Sequence, residues 1–258
     1  MSKSQSYLFI ARTEQAFVFK NLIEVLYNNI SKTNFVVDEK GMTMRQMDQC
    51  RKIMFDIDID GYSFNLYEFN MKERLNLGIE IAYLYKILSS VKKKDKMELF
   101  IESGKPDELG VRLFHKNGVR VTTSFMKIQN FQNIEINIQD DYNKPVVISG
   151  AEFQKTVKEL RGDSCNAINI TTTKSSVTFS VDGGLVLKRS VKFGASEPDD
   201  LVNFDKQFST DILFKIIKVA GLHGTLQIYT NNLQPLKIKS RIGDFGIMSI
   251  YIKSKDFH

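Results

Sequence analysis

The sequence predicts an α+β protein of two similar domains, each running helix, strands, helix, strands. Three observations carry that expectation. Helix-period and strand-period stretches alternate twice in the same order, helices at equivalent places share spacing and letters, and a polar stretch rich in Asn and Gln separates the halves. At 258 residues the chain can bury one large core or two of roughly 100–150 residues each, and length alone does not choose.

The expected boundaries are 1–128 for the first domain, 129–144 for a connecting linker and 145–258 for the second domain. In the first domain Phe17 to Ile30 reads as a helix with Phe19, Ile23, Leu26 and Ile30 on one face. Short strands are expected at 34–37, 41–44, 52–58, 62–69 and 74–77, several with strict alternation, as in Met54, Asp56 and Asp58 against Phe55, Ile57 and Ile59. A second helix at 81–91 precedes strands at 97–101, 110–114 and 119–128. The second domain repeats the order: a helix at 151–161, strands at 167–172, 176–181, 185–193 and 202–208, a helix at 210–220, and strands at 225–230, 236–241 and 246–253. Phe19, Ile23 and Leu26 are echoed in spacing by Phe153, Val157 and Leu160, and 84–88 by 213–217. Within the linker Ile134, Ile136 and Ile138 alternate with polar residues and give an extended segment one apolar side.

Composition narrows the function. Hydrophobic residues make up 42% and charged residues 26%, ordinary for a folded globular chain. The 36 Lys and Arg exceed the 30 Asp and Glu for a net charge of +6, a bias toward polyanions such as nucleic acid. No leader pattern or long apolar run appears, and Cys50 and Cys165 stand alone, so an unsecreted chain in a reducing compartment is expected. Each predicted helix pairs its apolar stripe with lysines elsewhere on its surface: Lys20, Lys86, Lys155 with Lys158, and Lys215 with Lys218. One such face would be an ordinary solvated surface, whereas four of the same sign suit phosphate contacts without base reading.

Gly41-Met42-Thr43-Met44 followed by Gln46-Met47-Asp48, and Pro235-Leu236-Lys237-Ile238-Lys239 through Ile242-Gly243-Asp244-Phe245-Gly246 to Tyr251, resemble segments of the proliferating cell nuclear antigen family of sliding clamps. The resemblance runs from about Leu8 to Lys253. It implies a DNA clamp fold, with outer β-sheets and inner helices, closing head to tail into a homotrimeric ring around double-stranded DNA. A non-enzymatic polymerase processivity factor follows, partnered by a DNA polymerase, other replication or repair proteins and a clamp loader, at the nucleus or a site of viral DNA replication. The lysines above become the DNA-facing candidates. Met47, Met54, Ile136, Ile138, Pro235, Tyr251 and Ile252 match the groove that takes a partner's short peptide, and apolar, flexible side chains suit varied guests. Ser124, Phe125, Val177 and Phe179 fall on the strands matching the subunit interface, read here as sheet edges.

The chain departs from the family in three places. It is basic where the eukaryotic members are acidic, its linker lacks the Gly-Ile-Pro run, and Ile252-Lys253 stand where small residues and proline are usual. Its wealth of Lys, Asn and Ile fits an AT-rich genome such as that of a large DNA virus or a parasite. The rival readings are a clamp-fold processivity or transcription factor working as a monomer or dimer without encircling DNA, and a catalytic nucleic-acid enzyme. The latter lacks clustered carboxylates, a nucleophile or any nucleotide-binding motif. Asp56 to Gly61 begins like a calcium loop, but Tyr67 stands where the bidentate Glu belongs, and His115, His223 and His258 are scattered, so neither metal nor cofactor is expected. Arg161-Gly162-Asp163 reads as the turn ending a helix.

Overall fold

The structure, a computed structural model, describes residues 6–116, 118–131, 141–162, 165–184, 187–195 and 201–257. The first round of elements is β1 (Tyr7–Thr13), α1 (Ala16–Tyr27), β2 (Lys32–Val37), β3 (Gly41–Met47), β4 (Ile53–Asp60), β5 (Leu66–Phe69), β6 (Leu75–Glu80), α2 (Ile81–Leu88), β7 (Lys96–Glu102), β8 (Glu108–Phe114) and β9 (Val121–Lys127). The second is β10 (Val146–Ser149), α3 (Gly150–Gly162), β11 (Ala167–Thr172), β12 (Ser176–Asp182), β13 (Lys188–Gly194), β14 (Phe204–Ser209), α4 (Thr210–Lys215), β15 (Thr225–Tyr229), β16 (Leu236–Arg241) and β17 (Gly246–Ile252). Each round therefore opens on a strand that the sequence reading missed. β1 buries Phe9, Ile10 and Ala11 in succession, so it lacks the alternation that marks a half-exposed strand, and β10 is only four residues long.

Two compact units share these elements, and they interleave along the chain. Unit 1 draws on Met1–Gln46, Asp56–Glu135 and Ile242–Ile247, unit 2 on Met47–Phe55, Ile136–Arg241 and Met248–His258.

In unit 1 an antiparallel sheet runs in the order β5-β1-β7-β8-β9, and β2 pairs with β3 on one side and β6 on the other. α1 buries Phe19, Leu22, Ile23, Val25 and Leu26, each contributing about 1.5–3 kcal/mol of apolar burial. α2 buries Ile81, Leu84 and Leu88 and lies beside α1, where the Tyr27 and Tyr85 rings stack at 4.3 Å. Glu98, fully buried, accepts from Arg12 Nε and Arg112 Nη1, each at 2.6 Å. Removing both arginines would strand a buried charge. The stretch after β9 is fastened to this unit rather than free: Gln129 N donates to Gly78 O at 2.8 Å, and Asn34 Nδ2 to Phe131 O at 2.6 Å. Any side chain at Gly78 would meet the Gln129 carbonyl at 1.9 Å, so this close approach requires glycine.

In unit 2 one sheet runs β13-β12-β11-β14, and β15 pairs with β10 and β16. α3 lays Phe153, Val157 and Leu160 on the core, with the Phe153 ring 6.1 Å from that of Phe179. The helix expected over 210–220 is shorter: α4 stops at Lys215 and a 3₁₀ turn, Ile217–Gly221, follows, with Val219 N donating to Ile216 O at 2.9 Å. Ile216, Ile217 and Val219 crowd β-branched side chains into that turn, which weakens continuation as an α-helix.

Candidate nucleic-acid and partner interfaces

Five of the six lysines on the helix pairs are exposed, and the sixth is diverted. Lys86 on α2, Lys155 and Lys158 on α3, Lys215 on α4 and Lys218 in the turn after it all project to solvent. Lys155 and Lys158 stand at the middle of the exposed face of α3, opposite Phe153, Val157 and Leu160. Lys20 is partly buried, and its ammonium donates to Ser89 O at 2.6 Å and Val91 O at 3.1 Å. It therefore caps carbonyls just past the end of α2, a task set by geometry across the helix pair that sequence spacing does not show. Arg161, at the end of α3, lies 3.7 Å over the Phe214 ring and 3.4 Å from Asp211.

The sheet edges require one correction. β9, with Ser124 and Phe125, does end its sheet: its ladder partner is β8, and Phe125 is 47% exposed. β12 is not an edge, because it pairs with β11 on one side and β13 on the other, and Val177 and Phe179 are fully buried. Their apolar alternation is the mark of a strand facing the core in mid-sheet. An edge of that sheet in unit 2 is β13, whose Lys188, Arg189, Ser190 and Lys192 are exposed. Lys188 hydrogen-bonds Asp182 across that hairpin and holds its carboxyl below the usual range.

The groove residues divide as well. Pro235 and Met47 are half-buried, Tyr251 keeps 6% of its surface, and Met54 and Ile252 are core residues at 7% and 0%. Ile136 and Ile138 lie outside the described residues. Lys253 N donates to Lys52 O at 3.0 Å, so the segment after Met47 runs beside the end of the chain. Around Pro235 and Tyr251 the structure adds residues the sequence reading passed over. Tyr142 donates its hydroxyl to Pro235 O at 2.9 Å and lies 6.4 Å from the Tyr251 ring. The buried Lys237 ammonium sits between 5.1 and 5.5 Å from the rings of Tyr142, Tyr229 and Tyr251. Tyr142 was hidden by the polar composition of its stretch. Lys237 was hidden because alternation along β16 assigns a lysine to solvent.

Asp56 of the calcium-like run pairs with Arg45, and Asp60 accepts from Tyr62 N at 2.9 Å, capping the turn after β4. In the loop after α2, Asp95 is buried and bound by His115 Nδ1 at 3.1 Å, Lys92 N at 3.0 Å and Lys116 N at 3.2 Å. Burial pushes its carboxyl up, and these hydrogen bonds more than reverse that, leaving it below its ordinary value. No described helix is long and apolar enough to cross a membrane.

Two units of repeated order, each with a helix pair and an antiparallel sheet that ends on an open edge, define the class: a clamp fold. The family model described as "Proliferating cell nuclear antigen, N-terminal domain" matches residues 8–138 and that of the C-terminal domain residues 137–255. The chain belongs to the proliferating cell nuclear antigen family of DNA sliding clamps. Among relatives, the proliferating cell nuclear antigen of Chaetomium thermophilum is 23% identical over 260 residues, covering 95% of this chain and 97% of that protein. A probable DNA polymerase sliding clamp of Paramecium bursaria Chlorella virus 1 is 22% identical over 256 residues, covering 95% and 96%. In fold the chain matches the crystal structure of the Entamoeba histolytica proliferating cellular nuclear antigen with a TM-score of 0.84 at 20% identity, covering 97% of this chain and 100% of that one.

Proposed function

We propose that this sliding clamp works as a homotrimeric ring around duplex DNA, in which β9 of one copy adds to β13 of the next. The observation that supports it is that β9 in unit 1 and β13 in unit 2 each end a sheet with a single ladder neighbour among the described strands, as β5 and β14 do at the opposite ends. Two different edges on one chain favour a head-to-tail contact, and such contacts build rings when the rotation closes. With the organisation 1–128, 129–144 and 145–258, β9 falls in the first domain and β13 in the second. Lys86, Lys155, Lys158, Lys215 and Lys218 contact phosphates without reading sequence, while Lys20 supports the end of α2.

Met47, Pro235, Tyr251 and the neighbouring Tyr142 form the partner groove, to which the family resemblance also assigns Ile136 and Ile138, and it receives a short peptide from a polymerase or another replication protein. The chain acts as a scaffold and not a catalyst, needs a loader to open the ring, and works in the nucleus or at a site of viral DNA replication.

Proline substitutions at Thr122 and Thr123 test the ring. Successive strand N–H groups point to opposite sides, so one of the two loses only the donor on the open edge. Light scattering should give a trimer for the wild type and a monomer for that folded variant. A wild type that is monomeric at micromolar concentration, or a full set of folded variants that stay trimeric, contradicts the proposed ring.

A further inference from the structure

In unit 1, five cationic side chains converge on one cleft of about 590 Å³ that is separate from the helix faces. Lys92, Lys93 and Lys94 come from the turn after α2, and Lys116 and Arg120 from the turn between β8 and β9. All five are exposed, and among the described residues none makes a side-chain ion pair. The single carboxylate lining the cleft, Asp95, is occupied by His115 and two backbone donors. Like charges brought this close repel one another, at a cost that a bound polyanion relieves.

A second observation points the same way. His115 lines the cleft with Nδ1 on Asp95, and its Nε2 is buried without a hydrogen-bond partner among the described residues. A buried nitrogen left unpaired is costly, and a hydrogen-bonding group on a bound ligand would relieve that cost. The cleft follows directly on α2, whose Lys86 is exposed and whose end is capped by Lys20.

We propose that this cleft is a second phosphate-binding site, which holds the backbone of duplex DNA apart from the lysines of the helices. It rests on the clamp reading but not on the helix lysines. Counterion release ties each lost phosphate contact to a drop of roughly one in the slope of log affinity against log salt.

The test uses the full chain, a fluorescent duplex and a salt titration of binding. Lys93→Glu with Lys94→Glu, and separately Lys116→Glu with Arg120→Glu, should each lower the slope by about two and weaken binding at least tenfold at low salt. Lys93→Arg with Lys94→Arg should restore both. Lys40→Glu with Lys72→Glu, an equal change of charge elsewhere on unit 1, should leave the slope in place. The inference is overturned if the control lowers the slope as much as the cleft variants, since the effect is then net charge alone. It is equally overturned if the cleft variants bind DNA like the wild type and lose only affinity for a polyglutamate probe, since the cleft then serves an acidic peptide. Lys155→Glu with Lys215→Glu, measured alongside, separates failure of this site from failure of the helix assignment.

Discussion

The two helix pairs follow one plan and present different faces. α3 and the α4 region carry Lys155, Lys158, Lys215 and Lys218 into solvent. α1 shows Phe17, Asn21 and Glu24, turns Lys20 onto the carbonyls of Ser89 and Val91, and ends on Tyr27 stacked against Tyr85. The helices of unit 1 carry one lysine each, α3 and the α4 region of unit 2 a pair three apart, and what a lysine does depends on what lies within reach of its four-carbon stem. Where a neighbouring helix end offers unpaired carbonyls, the ammonium goes there. Positive charge in unit 1 is consequently shifted off α1, to Lys86 and to the cleft after α2, whereas in unit 2 it stays on the helices.

The largest effect expected from breaking this comparison comes from beneath α3. Phe179→Ala removes the ring under Phe153 and should cost about 3–5 kcal/mol in denaturant unfolding, taking the lysine face of α3 with it. A Phe179 variant of unchanged stability but altered oligomer mass would return this residue to the interface. Next, the Lys155→Glu, Lys215→Glu pair should lower the salt slope of duplex binding by about two, against about one for Lys86→Glu. Equal slopes for both would erase the difference between units.

Lys20→Met sharpens the comparison from the other side. It should leave the salt slope unchanged and lower stability by about 1 kcal/mol, the worth of a typical hydrogen bond, as read by thermal unfolding. The smallest effect concerns pH. The Asp95 carboxyl is held below its ordinary value of 3.8 when folded, so its stabilisation is present above that value and lost as pH falls through the folded one. The melting-temperature gap between wild type and Asp95→Asn should therefore be widest near neutrality and close in strong acid.

Much of the fold was legible because periodicity reports burial. The stripes Phe19, Ile23, Leu26 and Phe153, Val157, Leu160 are fully buried, and the repeat they announce is present. Buried strands such as β1 escaped because both faces are apolar, and the edge was misplaced because Val177 and Phe179 make a cleaner strand pattern than the charged β13. Sheet order is set by long-range pairing, which alternation cannot encode.

The candidate sites were less legible. Met54 and Ile252 match groove positions in letter, but their side chains are used in the core. Tyr142 and Lys237 meet only when segments 95 positions apart fold together, and Asp95 with His115 needs the pairing of β7 and β8. None of these leaves a local motif.

Encirclement of DNA is tested most directly by threading the protein at high concentration onto a linear duplex, blocking both ends or leaving them open, and raising the salt. A closed ring slides off open ends and is retained when both are blocked, since salt weakens phosphate contacts but does not break topological linkage. Retention that depends on salt alone, and is the same with open and blocked ends, would contradict a ring around DNA.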